Sequence, residues 1–142
     1  MIKDVLLTDL PIIKTPGGDV LHGIKHSDLS YKGFGEAYFS KIKYKSIKAW
    51  KRHRKMTLNL IVPIGEIRFI MYDDREKISS KFQEVIISTS HYVRLTVPPM
   101  IWLGFEGISK GESVILNIAD IEHNPMEVDK KNIADINFNW SN

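Results

Sequence analysis

The segment from Lys41 to Lys55 has the residue types that bind or transform an anionic ligand. Nine of its fifteen residues are Lys, Arg or His. Such a cluster can bind a nucleic acid, an anionic membrane or a phosphorylated small molecule. It can equally be the solvated edge of a sheet, where lysines prevent pairing with another chain. Because two apolar, β-branched segments follow between Thr57 and Tyr72, we interpret the cluster as the rim of a ligand cavity.

Several kinds of active site are excluded by residues that the sequence lacks. Barrel metalloenzymes need converging histidines and a carboxylate, but only His53 is near a suitable strand, and Arg52 and Arg54 beside it oppose a cation. There is no cysteine, no Gly-x-Ser-x-Gly nucleophile motif and no Gly-x-x-x-x-Gly-Lys phosphate-binding motif. We therefore predict neither a metal nor an organic cofactor.

The distribution of charge argues against nucleic-acid and membrane partners. The net charge is +3, the excess is confined to one stretch, and basic residues do not alternate with aromatic ones as in RNA-binding motifs. No apolar run reaches the roughly 18 residues of a membrane span, and the N-terminus shows no secretory signal. We expect a soluble, cytoplasmic protein.

The elements that must position these residues are short β-strands. About nine or ten apolar or alternating segments recur roughly every 8 to 12 residues between Gly, Pro and Asp signals, and no helix longer than about two turns is indicated. A chain of 142 residues can bury one core without disulfides. We predict one all-β jelly-roll sandwich or barrel over residues 1–142, with its open end as the usual place for a ligand.

Two regions carry more detailed expectations. Residues 57–62 and 66–72 are predicted to form a hairpin across a Pro-Ile-Gly turn, and odd and even positions of the second arm should face opposite sides. Residues 124–131 are predicted as a polar loop or a single helical turn, and residues 133–140 as a terminal strand.

An ordered series of short motifs runs through residues 15–140. In order, the motifs are Gly33-Phe-Gly-Glu-Ala-Tyr-Phe-Ser40, Ile47-Lys-Ala-Trp-Lys-Arg-His53, Gly65-Glu66, Tyr72-Asp-Asp-Arg75, Val97-Pro-Pro-Met-Ile-Trp-Leu-Gly-Phe105 and Ile136-Asn-Phe-Asn-Trp140. The series resembles the dTDP-4-dehydrorhamnose 3,5-epimerase family, which consists of cupin-like jelly-roll dimers that act on nucleotide-linked 4-keto sugars in cell-surface glycan synthesis. The resemblance implies a cupin-type jelly roll, a homodimer and a nucleotide-linked sugar as ligand.

The resemblance also shows where this sequence departs from the family's catalytic pattern. The family's Arg-Gly-Leu-His segment falls on Lys48-Ala-Trp-Lys51. Lys48 thus keeps a cation for the nucleotide diphosphate, whereas Lys51 stands at the position of the base histidine. Leu103 replaces the second histidine of the site, and the acid tyrosine maps to Leu116 or Asn117.

Further site residues follow from the same resemblance. Asp135 matches the carboxylate that supports the base, and Asp73 with Arg75 matches an Asp-x-Arg segment. Trp50 and Trp102 are core residues or rim aromatics that stack on the base or the sugar. The predicted substrate-binding residues are Lys48, Trp50, Arg52, Arg54, Asn59, Arg75, Trp102 and Asn117.

The implied reaction defines what the catalytic residues must do. A 3,5-epimerase removes protons from the carbons beside the C4 ketone and returns them from the opposite face, which requires a base, an acid and stabilisation of the enolate. Lys51 can be a base with a pKa lowered by Arg52, Arg54 and Lys55, can form a Schiff base, or can simply bind phosphate. His53, two residues on, shares a strand face with Lys51 and is either the replacement acid or base or a hydrogen-bonding group.

Two functions are therefore considered. The first is epimerisation or isomerisation of an NDP-4-keto-6-deoxy sugar for a surface glycan such as lipopolysaccharide O-antigen or capsule, with Lys51, His53 and Asp135 as catalytic residues. The second is a catalytically silent relative that binds a sugar nucleotide or a protein partner in the same pocket. The missing histidines and tyrosine favour the second function.

Overall fold

A computed structural model describes residues 1–76 and 78–141. They contain two short 3₁₀ turns, Pro125–Glu127 and Ile133–Asp135, and no α-helix, so this part of the chain has no helix able to cross a membrane. The strands are β1 (Leu6–Asp9), β2 (Ile12–Ile13), β3 (Val20–Leu21), β4 (Glu36–Lys43), β5 (Ile47–His53), β6 (Leu58–Ile64), β7 (Glu66–Asp73), β8 (Lys81–Ser88), β9 (Val93–Val97), β10 (Trp102–Gly107), β11 (Glu112–Ala119) and β12 (Val128–Lys130).

Two five-stranded sheets form the sandwich. The first has the order β1-β9-β6-β11-β4 and the second has the order β12-β5-β10-β7-β8. Strands β2 and β3 form a separate two-stranded ribbon. Every pair of these strands is antiparallel, and neighbours in space are mostly distant in sequence, as in jelly rolls. The predicted all-β jelly-roll fold is confirmed.

The predicted hairpin between β6 and β7 is wrong. The two strands are consecutive but lie in different sheets, because β6 pairs with β9 and β11 whereas β7 pairs with β8 and β10. Gly65, between them, has a φ of 82°, and a Cβ on it would lie 2.8 Å from the Cα of Ser113. Only glycine fits a left-handed corner so close to another strand. The Pro-Ile-Gly segment therefore turns the chain from one sheet to the other.

Strand β7 is buried on both faces, and the predicted alternation of its side chains is confirmed. Ile67, Phe69 and Met71 belong to the main core between the sheets. Ile70 and Tyr72, on the opposite face, belong to a second apolar cluster on the outer side of the second sheet. A strand enclosed in this way reads as continuous apolar sequence, which explains why the segment looked like a buried hairpin arm.

The C-terminal segment is not the predicted terminal strand. It begins with the 3₁₀ turn Ile133–Asp135 and continues without strand pairing to residue 141. Its aromatic side chains complete the second cluster, where the ring of Trp140 lies 5.4 Å and that of Phe138 6.4 Å from the ring of Trp50. Alternating apolar residues here pack onto a sheet face without joining the sheet. Period-two spacing alone does not distinguish these arrangements.

Candidate functional site

A cavity of about 690 Å³ lies between the two sheets, within the range of ligand pockets. Its lining combines an apolar floor from the core with amines, a histidine, a phenol and amides. The lining residues are Tyr38, Ser40, Lys48, Ala49, Trp50, Lys51, His53, Leu58, Leu60, Phe69, Leu103, Phe105, Ile115, Asn117, Lys130, Lys131, Asn132 and Asp135. The structure thus brings together the basic strand, the strand carrying Asn117 and the segment containing Asp135 in one lining.

A β-bulge in β5 selects which of its residues face the cavity. Lys51 pairs with Leu103 of β10 and Lys48 pairs with Phe105, so one residue of β10 stands opposite two of β5 between these pairs. Leu103 and Phe105 line the cavity, and cross-strand partners point to the same side of a sheet. Lys48 and Lys51, three residues apart, therefore share the cavity wall. His53 joins them there by ordinary alternation.

His53 forms a buried hydrogen-bonded pair with Glu127. The side chains are 6% and 5% exposed, and Nδ1 of His53 bonds Oε1 of Glu127. The other carboxylate oxygen of Glu127 accepts hydrogen bonds from the amides of Lys55, at 3.0 Å, and Met56, at 3.3 Å. Burial alone would raise the pKa of Glu127, but these hydrogen bonds hold it below its ordinary value. Glu127 is therefore a carboxylate, and it can only accept.

This pairing defines the tautomer of His53. Because Glu127 accepts, Nδ1 of His53 carries the hydrogen, and in the neutral ring Nε2 has the free lone pair. The pKa of His53 is lowered chiefly by burial, and also by the charge of Lys51, although Glu127 acts in the opposite direction. A neutral imidazole whose far nitrogen is fixed by a carboxylate is the arrangement of a general base.

Lys51 and Lys130 form the cationic part of the wall. Burial lowers the pKa of Lys51, the charge of Lys130 lowers it further, and Glu127 raises it. Lys130 pairs with Lys51 across β12 and β5, which places the two on the same side. The ammonium of Lys48 donates to the carbonyl of Lys41 at 3.1 Å, and that of Lys131 lies 4.7 Å from the Trp102 ring. Lys48, Lys51 and Lys130 therefore place amines along one wall of the cavity, whereas the ammonium of Lys131 lies at the outer cluster.

Arg52 and Arg54 lie outside the cavity lining, with their guanidinium groups bonded to Asp129. Arg52 donates from Nη2 to Asp129 at 2.8 Å, and Arg54 donates from Nη2 at 2.6 Å. Arg52 also contacts Asp74 at 3.3 Å and lies 4.5 Å from the Trp102 ring. These bonds hold the pKa of Asp129 near 2. The two arginines therefore attach β12 to β5. The sequence indicated that Arg52, Arg54 and Lys55 lower the pKa of Lys51, but burial and the charge of Lys130 lower it instead.

Three other predicted substrate-binding residues also lie outside the lining. Trp102 packs in the outer cluster, and its indole N–H donates to Asp74 at 3.1 Å. Asn59 is buried on the far side of β6, where its Oδ1 accepts from Thr96 at 2.8 Å. Arg75 lies near the surface, and its Nη2 donates to Asp73 at 2.8 Å. The polar atoms of these three side chains are bonded to other protein groups away from the cavity.

The prediction for Asp135 requires one correction. Asp135 lines the cavity, but its Oδ2 accepts the amide of Asn132 at 2.7 Å, and the carboxylate that supports the histidine is Glu127. Glu127 ends the 3₁₀ turn that begins at Pro125, in the segment predicted as a polar loop or one helical turn. The Asn-Pro pair at the start of that turn was the available sequence signal for the turn itself. Glu127 is 74 residues from His53, so no local sequence pattern could indicate that the two side chains meet.

Asn117 and Tyr38 form the polar part of the opposite wall. They are direct partners across β11 and β4, and Nδ2 of Asn117 donates to the phenolic oxygen of Tyr38 at 3.0 Å. Oδ1 of Asn117 accepts the backbone amide of Asn59 at 3.2 Å. Alternation along β4 places the side chain of Tyr38 in the cavity wall.

Metal ligands are scarce in the described residues. Within residues 1–76 and 78–141, no group of three or more His, Asp or Glu side chains is arranged to hold a metal ion. The carboxylate next to His53 bonds the imidazole and two backbone amides. The polar groups of the lining are amines, an imidazole, a phenol, a hydroxyl, amides and the carboxylate of Asp135.

Known structures match this chain over nearly its whole length. A dTDP sugar isomerase from Desulfovibrio desulfuricans G20 superimposes with a TM-score of 0.93 at 33% identity, covering 99% of this chain and 92% of that one. A dTDP-6-deoxy-D-glucose-3,5-epimerase from Legionella pneumophila Philadelphia 1, in complex with dTDP-4-keto-L-rhamnose, shares the fold at 15% identity, with a TM-score of 0.81 over 94% of this chain and 76% of that one.

A curated relative gives a further match. The spore coat polysaccharide biosynthesis protein SpsL of Bacillus subtilis (strain 168) is 26% identical over 114 residues, which is 76% of each chain. No family model matches the sequence. The identity and coverage of the Desulfovibrio isomerase, together with the shared jelly-roll fold, are sufficient for assignment. The chain belongs to the dTDP-4-dehydrorhamnose 3,5-epimerase family of cupin-like sugar-nucleotide epimerases and isomerases.

Proposed function

We propose that this protein is an epimerase or isomerase of an NDP-4-keto-6-deoxy sugar used in surface-glycan biosynthesis. One observation carries the proposal. The neutral His53, oriented by the buried Glu127, lies in the wall of a cavity that also contains several amines. A base next to cations is what proton removal beside a ketone requires, because the negative charge of the enolate must be stabilised as it forms.

The residues divide into two groups along the basic wall. Nε2 of His53 takes the proton from the carbon beside the ketone, and the ammonium of Lys51 stabilises the charge that develops on the carbonyl oxygen. Lys48 and Lys130 bind the diphosphate, a role that the sequence assigned partly to Arg52 and Arg54. The transfer of this role to Lys130 is supported by the bonds of both arginines to Asp129.

The remaining predicted contacts concern the nucleotide and the sugar. Trp50 is among the lining residues, but its ring is buried in the outer cluster against Phe138 and Trp140, so the predicted stacking on the base or the sugar is not proposed. Asn117 and Asp135 line the cavity as well and are proposed to bond sugar hydroxyl groups. The protein is proposed to act in the cytoplasm, where nucleotide-linked sugars are available.

We also propose that the protein is a homodimer. Phe39 is 68% exposed on the outer side of β4, and Leu29 and Phe34, in the loop before that strand, are 91% and 63% exposed. Exposed aromatic and aliphatic side chains concentrated in this way favour association. Light scattering of the purified chain tests the proposal, because Phe39→Asp should convert a dimer to a monomer, and a wild-type monomer at micromolar concentration contradicts it.

A second function, binding without turnover, is supported by one specific observation. Leu103 lines the cavity, and its isobutyl side chain, found where the family has a histidine, cannot transfer a proton. A silent relative would bind a sugar nucleotide with the same amines. Titration calorimetry with dTDP-4-keto-6-deoxyglucose would then show binding without reaction, and Lys51→Ala would weaken that binding.

Solvent deuterium exchange tests the first function directly. The full chain is incubated in D₂O with dTDP-4-keto-6-deoxyglucose, and NMR follows the proton signals of C3 and C5. Wild-type protein should exchange at least one of them, and His53→Asn should slow exchange about 10²- to 10⁴-fold, the usual contribution of a general base.

A matched histidine provides the control for that experiment. His91 is exposed, and its Nδ1 contacts the carbonyl of Ile86 at 2.7 Å, so His91→Asn should leave exchange unchanged. The first function is abandoned if wild-type protein gives no exchange above the protein-free rate with dTDP-, UDP- and GDP-linked 4-keto-6-deoxy sugars. Binding of the same compounds would then leave the second function in place.

A further inference from the structure

Residues 132–141, here called the C-terminal strap, connect the cavity to the outer side of the second sheet. Asn132 and Asp135, at the start of the strap, line the cavity. Ile136 and Trp140, further along, pack in the second apolar cluster on the outer side of that sheet. The strap therefore wraps around the edge of the sheet next to β12 and β5, and a movement of its aromatic end can displace part of the cavity wall.

The strap has a defined hinge at its first residue. Just before it, the backbone N–H and C=O of Lys131 exchange hydrogen bonds with those of Trp50, each at 3.1 Å. Just after it, Oδ2 of Asp135 accepts the amide of Asn132 at 2.7 Å, and the amide of Asp135 donates to the carbonyl of Asn132 at 3.0 Å. These last two bonds close the 3₁₀ turn on itself, so the turn can move as one unit relative to the fixed strand pair.

Trp140 anchors the far end of the strap in a socket at Gly104 of β10. A Cβ at Gly104 would lie 3.0 Å from Cη2 and Cζ2 of Trp140, a separation that real Cβ atoms rarely show, so the missing side chain makes room for the indole ring. The ring of Trp140 also lies 5.1 Å from that of Phe138, and its backbone carbonyl accepts from Nη2 of Arg68 at 2.7 Å. Ring packing and this bond hold the end of the strap against the sheet.

The docked position of Trp140 carries a cost that a released position would remove. Its indole N–H is buried, and no acceptor meets it among residues 1–76 and 78–141. A buried donor without an acceptor has lost its bonds to water, whereas the same N–H in a released strap is hydrated. Burial of the aromatic rings favours docking and the unpaired donor opposes it, so the two positions are closer in free energy than the apolar packing alone would make them.

We propose that the C-terminal strap is a lid on the cavity, which opens when Trp140 leaves the Gly104 socket and closes over a bound ligand. The inference rests on the proposed sugar-nucleotide function for the identity of that ligand and adds a gate to it. In the docked position Asn132 and Asp135 belong to the same lining as Lys51. A ligand that contacts them binds the closed state more tightly and therefore shifts the strap towards it.

Acetylation of a cavity amine tests the lid without any ligand. The full chain receives a short pulse of N-hydroxysuccinimidyl acetate, and mass spectrometry compares Lys51, in the cavity, with Lys110, in the exposed turn before β11. Trp140→Ala should raise the ratio of acetylation at Lys51 to that at Lys110 about tenfold, because the reagent reaches Lys51 in proportion to the open fraction. An unchanged ratio in the folded variant would overturn the lid.

Gly104→Ala reaches the same socket from the sheet. Its methyl group meets Cη2 and Cζ2 of Trp140, so this variant should also raise the ratio. The double variant Gly104→Ala/Trp140→Phe lacks those two ring atoms and should recover part of the wild-type ratio. The Cβ at residue 104 is also 2.9 Å from Cβ of Ala49, which both variants retain, so the recovery isolates the contact with Trp140. A double variant with the ratio of Gly104→Ala would overturn the socket.

Gly23→Ala is the matched control for these substitutions. A Cβ at Gly23 meets Cδ1 of Ile61 at 3.4 Å, an ordinary contact on the other sheet, so the acetylation ratio should stay at the wild-type value. Circular dichroism establishes that each variant is folded. Trp140→Ala and Gly104→Ala approach the socket from opposite sides, so either one decides the question should the other fail to fold.

Hydrogen exchange with dTDP-glucose tests closure over a ligand, because this compound carries the nucleotide and the sugar but no ketone to react. Bound to wild-type protein, it should slow exchange of the amides of residues 133–141, and Trp140→Ala should raise its dissociation rate about tenfold. A merely structural role for Trp140 would not slow exchange of the strap on binding. Strap exchange that is the same with and without bound dTDP-glucose would overturn closure.

The two measurements separate this inference from the proposed function. Failure of dTDP-glucose and dTDP-4-keto-6-deoxyglucose to bind wild-type protein would overturn the proposed function. The acetylation ratio needs no ligand, so in that case it alone upholds or overturns the strap as the gate of the cavity.

Discussion

The imidazole of His53 and the carboxylate of Glu127 are separated by 74 residues in sequence and form one buried hydrogen-bonded pair. His53 ends β5, and Glu127 lies just before β12, which pairs with β5. The antiparallel pairing of these strands therefore brings the carboxylate to the histidine. The pair holds the ring in one orientation, with Nε2 left for the substrate.

Glu127→Gln should reduce turnover about 10²-fold or more while leaving the fold intact. The amide oxygen can still accept from the backbone of Lys55 and Met56, but a neutral group stabilises the imidazolium less and can favour the wrong tautomer of His53. Measurement of kcat with dTDP-4-keto-6-deoxyglucose tests this. Glu122→Gln, at an exposed position outside the cavity lining, is the control. Equal kcat values for both variants would contradict the role of Glu127.

The stability of the protein should depend on pH in part through the protonation of His53. Its pKa is lowered in the folded state, so below the ordinary histidine pKa of about 6.5 the unfolded chain binds this proton first. The contribution of His53 to stability is therefore present above that pH and is lost as the pH falls. Urea unfolding between pH 8 and pH 5 should show a smaller decrease for His53→Asn than for wild type. An identical slope for the two proteins would show that His53 is not responsible.

Lys130→Met should weaken the binding of dTDP about tenfold to hundredfold, the effect of losing one charge-assisted hydrogen bond. The stem of the side chain is kept, so only the charge in the cavity changes. Calorimetry at two salt concentrations measures the effect, and the salt dependence should decrease along with the affinity. Lys110→Met, in the exposed turn before β11, serves as the control. Unchanged affinity for Lys130→Met would show that the diphosphate binds elsewhere.

Asp129→Asn should lower the free energy of unfolding, because both Arg52 and Arg54 lose a charged hydrogen-bond partner, and the loss at the exposed Arg54 should contribute less than that at Arg52. The pKa of Asp129 is lowered to about 2, so its contribution is complete above the ordinary aspartate pKa and is lost as the pH falls towards 2. Urea unfolding at pH 7 and pH 3 tests both statements. Asp9→Asn, at an exposed position, is the control, and an equal effect of both changes would contradict the role of Asp129.

Gly65→Ala should destabilise the protein more than Gly111→Ala. Both glycines have positive φ, 82° and 89°, so both substitutions cost about 1 kcal/mol for the backbone conformation. A Cβ at Gly111 meets nothing within 4 Å, whereas at Gly65 it meets Ser113. The difference between the free energies of unfolding of the two variants measures the cost of the contact between a Cβ at Gly65 and Ser113. Equal values would show that Ser113 moves aside freely.

The sequence predicted the fold class and part of the site because both depend on local patterns. Turn residues between short apolar segments indicated a jelly roll, and period-two spacing placed Lys51 and His53 on one side of β5. The partner of His53 was beyond such patterns, since Glu127 meets it only through pairing of distant strands. The corner at Gly65 was missed for a related reason: consecutive strands look alike whether they pair or change sheets.

The bulge in β5 shifts the phase of that strand between Lys48 and Lys51. Lys48 and Lys51 are three residues apart, so without the bulge regular alternation would turn Lys48 to the opposite side of the sheet. Deleting Ala49 would instead leave the two lysines two residues apart and both on the cavity side. The extra residue of the bulge therefore lets two lysines at an odd spacing face the same cavity.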